Sequence, residues 1–519
     1  MANILEHKTK GVVRMNIEMK KNKVSYVKCS HELTTQQSLE LDISLPDYCS
    51  DIKRILRLFV LPGINSTTVT SDRVSVSGDI ILRLVYIGDG DKIDCCEKSV
   101  ELSAFCDVKD MPENKIVLPY AEVRYVNCRA VSQRRFSVNG SVDIKFKIIE
   151  LKETEHNCDT DEKNCQLKKE EEKCVVSGVM GEKTFDISET VSLPEEKKSI
   201  GKILRCDKKA KLESVKTVNG KVLIKGEFVC DVLYISDTKD STLEKLHHSM
   251  PISQIIEVPA IDDSFLSDIY LDVKNMAVSA KSDASGENKL LEVAAKISAF
   301  IKGTKEGNAA FITDCYNTSY ECELKHEDTE YIKYIGKLSK KKTVNENISV
   351  SADVKEVLDA RVLSESVIFS AVNGKGEVKA GVVFGFICKD EKGAVQYTER
   401  TVDVKFEEDL KKDCIKPFGN PDVFISSLDV RANADKISLK FDCEISGEIF
   451  DECHKRTVSE IKADETRPKE KGAAVTVYYC SKGEKVWDIA KRYNRSEKSI
   501  REENNLDSET VKEDMMLII

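Results

Sequence analysis

At 519 residues the chain is longer than one hydrophobic core serves, so about two to four domains are expected. Its 41% apolar and 33% charged composition is that of ordinary soluble protein, and a net charge of -10 argues against a nucleic-acid binder, which needs a basic surface. No run approaches the ~18 consecutive apolar residues of a membrane-spanning helix.

Residues 1–19 carry Glu6, Lys8, Lys10, Arg14 and Glu18 with no apolar stretch, which reads as no secretory signal and predicts a cytosolic protein. An internal repeat then dominates the chain. Leu45-Pro46 matches Leu193-Pro194, and Ile52-Lys53-Arg54-Ile55-Leu56-Arg57 matches Ile200-Gly201-Lys202-Ile203-Leu204-Arg205, both at an offset of 148. At the same offset Gly78 falls on Gly226 and Tyr86 on Tyr234. Between these, Val74, Val76, Ile80, Leu82 and Leu84 fall on Val222, Ile224, Phe228, Cys230 and Val232. The alternation predicts half-buried strands, and a glycine in mid-run predicts a bulge or bend. Asn219-Gly220 signals a hairpin.

A weaker third copy runs from Val354 and Val357-Leu358 through Asn373-Gly374 to an apolar run over 378–387, with one inserted residue. Each unit also has a second half. It holds Val142, Ile144, Phe146 and Ile148 in the first copy, and Ile437, Leu439, Phe441, Cys443 and Ile445 in the third. Leu271-Asp272-Val273 recurs as Leu428-Asp429-Val430. The fold expected is mainly β: three antiparallel units over 1–178, 179–335 and 336–457, then a linker over 458–474 and a small βααβ module over 475–519. The charged stretch 151–173 lacks periodicity and reads as a mobile loop, while 458–474 combines charge, Pro468 and Gly472 as a tether does.

The 18 cysteines read as free, mostly buried hydrophobes in a reducing compartment, with later intermolecular oxidation left open. A metal group of His156, Cys158, Cys165 and Cys174 is weighed and set aside, because paired C-x-x-C spacing is missing; Cys95-Cys96 and Cys453-His454 are weaker still. No H-E-x-x-H, G-x-S-x-G or G-x-x-x-x-G-K-[ST] motif occurs, so neither an enzyme nor a cofactor site is expected.

In the terminal module, Val475 to Tyr479 reads as a strand and Lys482-Gly483-Glu484-Lys485 as a turn. Val486, Ile489, Ala490 and Tyr493 then mark one face of a short helix. Ser496 is a candidate N-cap for a second helix burying Ile500 and ending at Asn504-Asn505-Leu506, and 515–519 returns as a strand. The run Tyr478…Gly483-Glu484-x-Val486-Trp487-x-Ile489-Ala490…Tyr493 with Ile500…Asn504-x-Leu506 resembles the LysM domain. Trp487, the only tryptophan, is either a binding-surface aromatic or a lid on a small core.

The upstream repeats, with L-P…I-x-[RK]-I-L-R and a later G…Y run, resemble the SPOCS domain of spore-coat proteins. Together with a LysM end they are similar to the SipL-like family of spore coat morphogenesis proteins. The resemblance implies a non-enzymatic scaffold in the mother-cell cytosol at the forespore surface. Its implied partner is the coat-basement ATPase, stage IV sporulation protein A, docked by the LysM end. In LysM families N-acetylglucosamine chains lie between the first loop and the loop after the second helix. By position that assigns Gly483, Glu484, Lys485 and Val486 to one side, with Trp487, and Asn505, Leu506 and Asp507 to the other. The usual Asp-Thr is here Glu484-Lys485, and the usual glycine before the last strand is Asp514, so the rim suits a protein at least as well as a sugar. The alternative is a peptidoglycan-binding cell-wall protein, and the exposed edges of β units also allow self-association.

Overall fold

The computed structural model describes residues 14–239, 241–349, 354–372, 374–410, 414–433, 436–469 and 476–519. In the first unit β1 (Arg14–Asn16) and the long β2 (Met19–Ser44) precede β3 (Arg54–Val69), β4 (Arg73–Ile87), β5 (Ile93–Asp107), β6 (Lys115–Ser132) and a second long strand, β7 (Arg135–Thr160). The second unit repeats this order as β8 (Cys165–Ser192), β9 (Ile200–Val218), β10 (Lys221–Ser236), β11 (Leu243–Glu257), β12 (Leu266–Lys281) and β13 (Leu290–Asn317). The third comprises β14 (Tyr320–Ser349), β15 (Val354–Val372), β16 (Lys375–Asp390), β17 (Val395–Asp409), β18 (Pro417–Gly419), β19 (Asp422–Asn433) and β20 (Lys436–Pro468).

In every unit the middle strands form an antiparallel three-stranded meander: β3-β4-β5, β9-β10-β11 and β15-β16-β17. A second sheet pairs the first and last long strands, with one further strand alongside in β2-β7-β6 and β8-β13-β12. In the third unit both β18 and β19 pair with β20. The two sheets of each unit enclose one core. Leu82, Leu84 and Tyr86 meet Val142, Ile144 and Phe146 in the first, and Phe384 meets Phe441 in the third with ring centroids 4.8 Å apart. Alternation along one face of each strand builds these sandwiches.

The repeat signals have identifiable work. Opposite Gly78 the partner strand β3 carries an extra residue, Asn65, and opposite Gly226 the strand β9 carries Glu213. A Cβ at either glycine would collide with backbone, Gly63 O in the first case and Lys211 O in the second. The bulge therefore lies in the neighbour, and the glycine makes room for it. Tyr86 Oη donates to Ser50 O and Tyr234 Oη to Lys198 O, each at 2.9 Å, so the repeated tyrosine ties the same loop in both units. In the third unit Cys388 takes this register position, opposite Val357. Gly220 and Gly374 both adopt φ +76°, as the hairpin reading requires of a turn glycine; Asn373 lies outside the described residues.

The stretch 151–173 is corrected by the structure. It is strand on both sides of a turn at 161–164, because β7 runs to Thr160 and β8 starts at Cys165. These long strands outrun the sandwiches as two-stranded ribbons, and the three ribbons pack into a stalk. Val24, Cys174, Phe311, Tyr331 and Cys453 share one layer of it, and Tyr26, Val175, Ile332 and Phe450 another. Each ribbon buries only a narrow stripe, and its charges are paired sideways, so apolar alternation is weak. Lys455, for example, bridges Glu170 and Glu172 at 2.8 and 2.7 Å. The proposed linker is corrected likewise up to Pro468, which ends β20. Val458, Ile461 and Ala463 are fully buried there, and a bulge at Ser459 breaks their period-2 pattern. Residues 470–475 lie outside the described residues.

The units are packed together. Phe59 and Val85, Leu204 and Leu233, and Ile387 form one apolar cluster where the three meanders meet. Glu330 joins the third unit to the first, accepting from Tyr26 Oη at 2.8 Å, Lys28 Nζ at 3.1 Å and Lys152 Nζ at 2.7 Å. Burial raises its carboxyl pKa, but the bonds from Lys152, Tyr26 and Lys28 outweigh that and bring it down to about 2. A depressed carboxylate contributes stability present above its ordinary value of 4.5 and lost as pH falls toward about 2. Urea midpoints measured from pH 7 to pH 2.5 are expected to fall more steeply below pH 4.5 in the native chain than in Glu330→Gln. Parallel curves would show that this carboxylate does not carry the junction.

Candidate functional site

The C-terminal module follows the expected order: β21 (Val477–Cys480), α1 (Val486–Tyr493), α2 (Glu497–Glu503) and β22 (Met515–Ile518). Helix α1 buries Val486, Trp487, Ile489 and Ala490, and ends where Asn494 takes a left-handed conformation. Lys485 stands at its N-cap without a side-chain bond to the helix, whereas Ser496 caps α2 by accepting from Ser499 N at 3.0 Å. Asn504 closes α2 against the last strand: its Nδ2 donates to Ile518 O at 2.7 Å and its Oδ1 accepts from Ile518 N at 2.6 Å.

Gly483, at φ +92°, turns the first loop. That loop is stitched by backbone bonds to the segment just before β22: Gly483 N to Val511 O at 2.8 Å, Val511 N to Glu484 O at 2.9 Å, and Val486 N to Glu509 O at 2.9 Å. Glu484 accepts from Tyr478 Oη at 3.0 Å, and Arg492 donates to the same phenol at 3.0 Å. Asp514, where a glycine was expected, accepts from Lys482 N at 2.7 Å and so fixes the turn. Among the assigned rim residues Lys485, Asn505 and Asp507 are exposed, Leu506 packs on the module core and Val486 is fully buried.

Trp487 is held inside the chain. The residue is 6% exposed, its ring meets Tyr316 edge-on with centroids 4.9 Å apart, and its Nε1 donates to Asp314 Oδ2 at 2.9 Å. Lys491 Nζ donates to both Asp314 oxygens at 2.8 Å, and Tyr316 Oη donates to Arg495 O at 2.7 Å. Asp314 and Tyr316 lie near the end of β13, so the module sits on the tip of the stalk. Burial raises the Asp314 carboxyl, but the Lys491 and Trp487 bonds prevail and hold it below its ordinary value. Sequence reasoning missed Asp314 and Tyr316, which lie more than 170 positions from their partners and carry no local signal. The packing role left open for Trp487 is the one the structure displays.

The outer face of the β21-β22 sheet remains open. Val477, Tyr479, Met516 and Ile518 are 60%, 62%, 68% and 47% exposed. Register pairs Val477 with Ile518 and Tyr479 with Met516, so the four side chains form one apolar patch on the module.

Comparison with protein families matches residues 51–131 and 199–281 to the SipL, SPOCS domain model, and residues 480–519 to the LysM domain model. Two SPOCS matches and a terminal LysM match are consistent with a SipL-like protein. The SPOCS matches cover β3 to β6 and β9 to β12, the meander of each of the first two units plus the strand that follows. SPOCS and LysM domains are non-catalytic binding domains, and together they mark a spore-coat type of protein with a cell-wall-binding-like end. No curated protein and no solved structure matches this chain. Among the described residues no helix is long and apolar enough to cross a membrane, and no cluster of His, Cys, Asp and Glu has the makings of a metal site. His156, once weighed as a ligand, stacks on Phe311 with centroids 4.5 Å apart.

Proposed function

We propose that this chain is a non-enzymatic scaffold of spore coat assembly at the forespore surface. Its three units, the third a SPOCS-type unit like the first two, form a rigid base. Its LysM end docks the coat-basement ATPase, stage IV sporulation protein A. The observation that carries the reading is the open patch of Val477, Tyr479, Met516 and Ile518, a protein-type surface on a module whose tryptophan is already engaged. The rim supports the same choice. Glu484 is spent on Tyr478, Lys485 offers a charge and Asp514 is spent on the turn, leaving the first loop short of free acceptors. Gly483, Glu484, Lys485, Asn505, Leu506 and Asp507 are then further candidate contacts on the module, with Val486 and Trp487 as buried support.

The test is recovery of the purified ATPase on immobilised protein. The full chain is expected to retain it, while a chain ending at residue 469 and the double variant Tyr479→Ser, Met516→Ser are each expected to lose at least about tenfold, as expected for hot-spot residues. Equal recovery by all three defeats LysM docking. Sedimentation with purified peptidoglycan, competed by chitin oligomers, is the parallel measurement; strong competed binding would favour the cell-wall reading instead.

A further inference from the structure

Two of the free thiols lie in contact. Cys165 Sγ and Cys315 Sγ are 3.0 Å apart, 150 positions apart in sequence, on the two strands of one ribbon. Cys165 pairs in register with Asn317 and Cys315 with Leu167, so both side chains project from the same face as diagonal neighbours. They sit in an apolar cluster with Ile17, Ile312, Val458, Ile461 and Ala463, to which Cys322 adds a third thiol. A disulfide needs the sulfurs at about 2.0 Å, roughly 1 Å closer. That closure falls on the first residue of β8, where the strand leaves the turn at 161–164 and pairs with β13 along one edge.

We propose that Cys165 and Cys315 are a reactive thiol pair that a low-molecular-weight disulfide converts to an intrachain disulfide. The link would close the second unit at its base, directly beneath the LysM dock. The step balances as thiol–disulfide exchange. The Cys165 thiolate attacks one sulfur of the small disulfide and expels a small thiolate. Cys315, after losing its proton, attacks Cys165 Sγ in the mixed disulfide and expels the second. Two protein thiols and one small disulfide thus give one protein disulfide and two small thiols. The roles follow from place and polarity. Cys165 is the more accessible, 8% against 1%, and borders an exposed turn. The S–H bond between the two lowers Cys165 and raises Cys315, which suits attacker and resolver respectively.

The pair's position gives the reaction a consequence. Cys165 opens β8 and Cys315 stands near the end of β13, so the bond would bracket the whole second unit. Closing so long a loop restricts the unfolded chain strongly. Cys315 also lies between Asp314 and Tyr316, which hold Trp487, Lys491 and Arg495 of the module. Oxidation therefore pins the strand end on which the module rests.

The experiment uses the reduced full-length protein titrated with oxidised glutathione, alkylated, and digested without reductant for mass spectrometry. A peptide linking Cys165 to Cys315 is expected before the other thiols react, with a Tm rise of roughly 5 °C or more that dithiothreitol reverses. Cys165→Ser and Cys315→Ser should each lose both signals, and Cys322→Ser should keep both. Absence of the linked peptide, linkage of either residue to Cys322, a persistent glutathione adduct on Cys165, or an unchanged Tm overturns the proposal. Should either serine variant fail to fold, the peptide map of the native chain decides alone.

Discussion

Arg205→Ala is expected to cost about 3–5 kcal/mol of stability, because it strands the buried carboxylate of Asp359 where the three meanders meet. Arg205 occupies the arginine position of the repeated I-L-R motif. In the first unit that position is Arg57, opposite Val85; in the second it is Arg205, opposite Leu233; in the third it is Asp359, opposite Ile387. The third unit has thus reversed the charge, and Arg205 is ion-paired to Asp359 directly, with Asp207 2.5 Å from its Nε. Arg361 closes the group, 3.0 Å from Asp207 and stacked 4.3 Å above the Phe59 ring. Removing Arg205 leaves Asp359, itself 2% exposed, with only Lys245 at 3.2 Å. Urea unfolding measures the loss. The double variant Arg205→Met, Asp359→Leu should recover most of it, since an apolar pair of similar volume replaces a buried ion pair at little net cost. A single variant within 1 kcal/mol of the native chain, or a double variant no better than the single, would rule out this account.

Ion pairs tie the third unit to both of its neighbours. Asp359 pairs with Arg205 of the second unit, while Arg57 of the first pairs with Glu399 of the third at 2.8 Å.

How much of this was legible depended on how local the cause was. The β4 and β10 strands could be read because one face of each is buried throughout while the other stays exposed or half-buried until the strand's last residues, so alternation survives over most of each strand. Gly78 and Gly226 could be read as sites of a bulge, though not that the extra residue lies in the neighbour, because one strand's sequence says nothing of its partner's count. The LysM helices were plain from Val486, Ile489, Ala490 and Tyr493 and from the Ser496 cap. The ribbons were illegible for the opposite reason. Residues 151–173 show no face because Glu170 and Glu172 are satisfied by Lys455, some 280 positions on, and Val458, Ile461 and Ala463 lose their period to one bulge. The dock failed for the same cause, since nothing near Asp314 marks it as the acceptor of an indole.

That dock yields the second large effect. Trp487→Ala is expected to cost about 3–5 kcal/mol, because the ring fills the module core and covers Tyr316 at once. Asp314→Ala should cost less, about 1–3 kcal/mol, since it removes the carboxylate that two partners share but leaves the module core intact. The two are separable because Trp487 is the only tryptophan in the chain, so intrinsic fluorescence reports on the dock alone. In Asp314→Ala the emission should shift to the red while the module still unfolds cooperatively, as a ring released to solvent from a folded domain requires. The Asp314 carboxyl is held below its ordinary value of 3.8, so in the native chain the same red shift should be reached by acid, as pH falls below about 4 and the Lys491 pair is lost. Lys491→Met should bring that acid transition to higher pH. Emission that is unmoved by Asp314→Ala and by acid would mean that the ring is buried within the module and that the stalk contributes nothing to holding it.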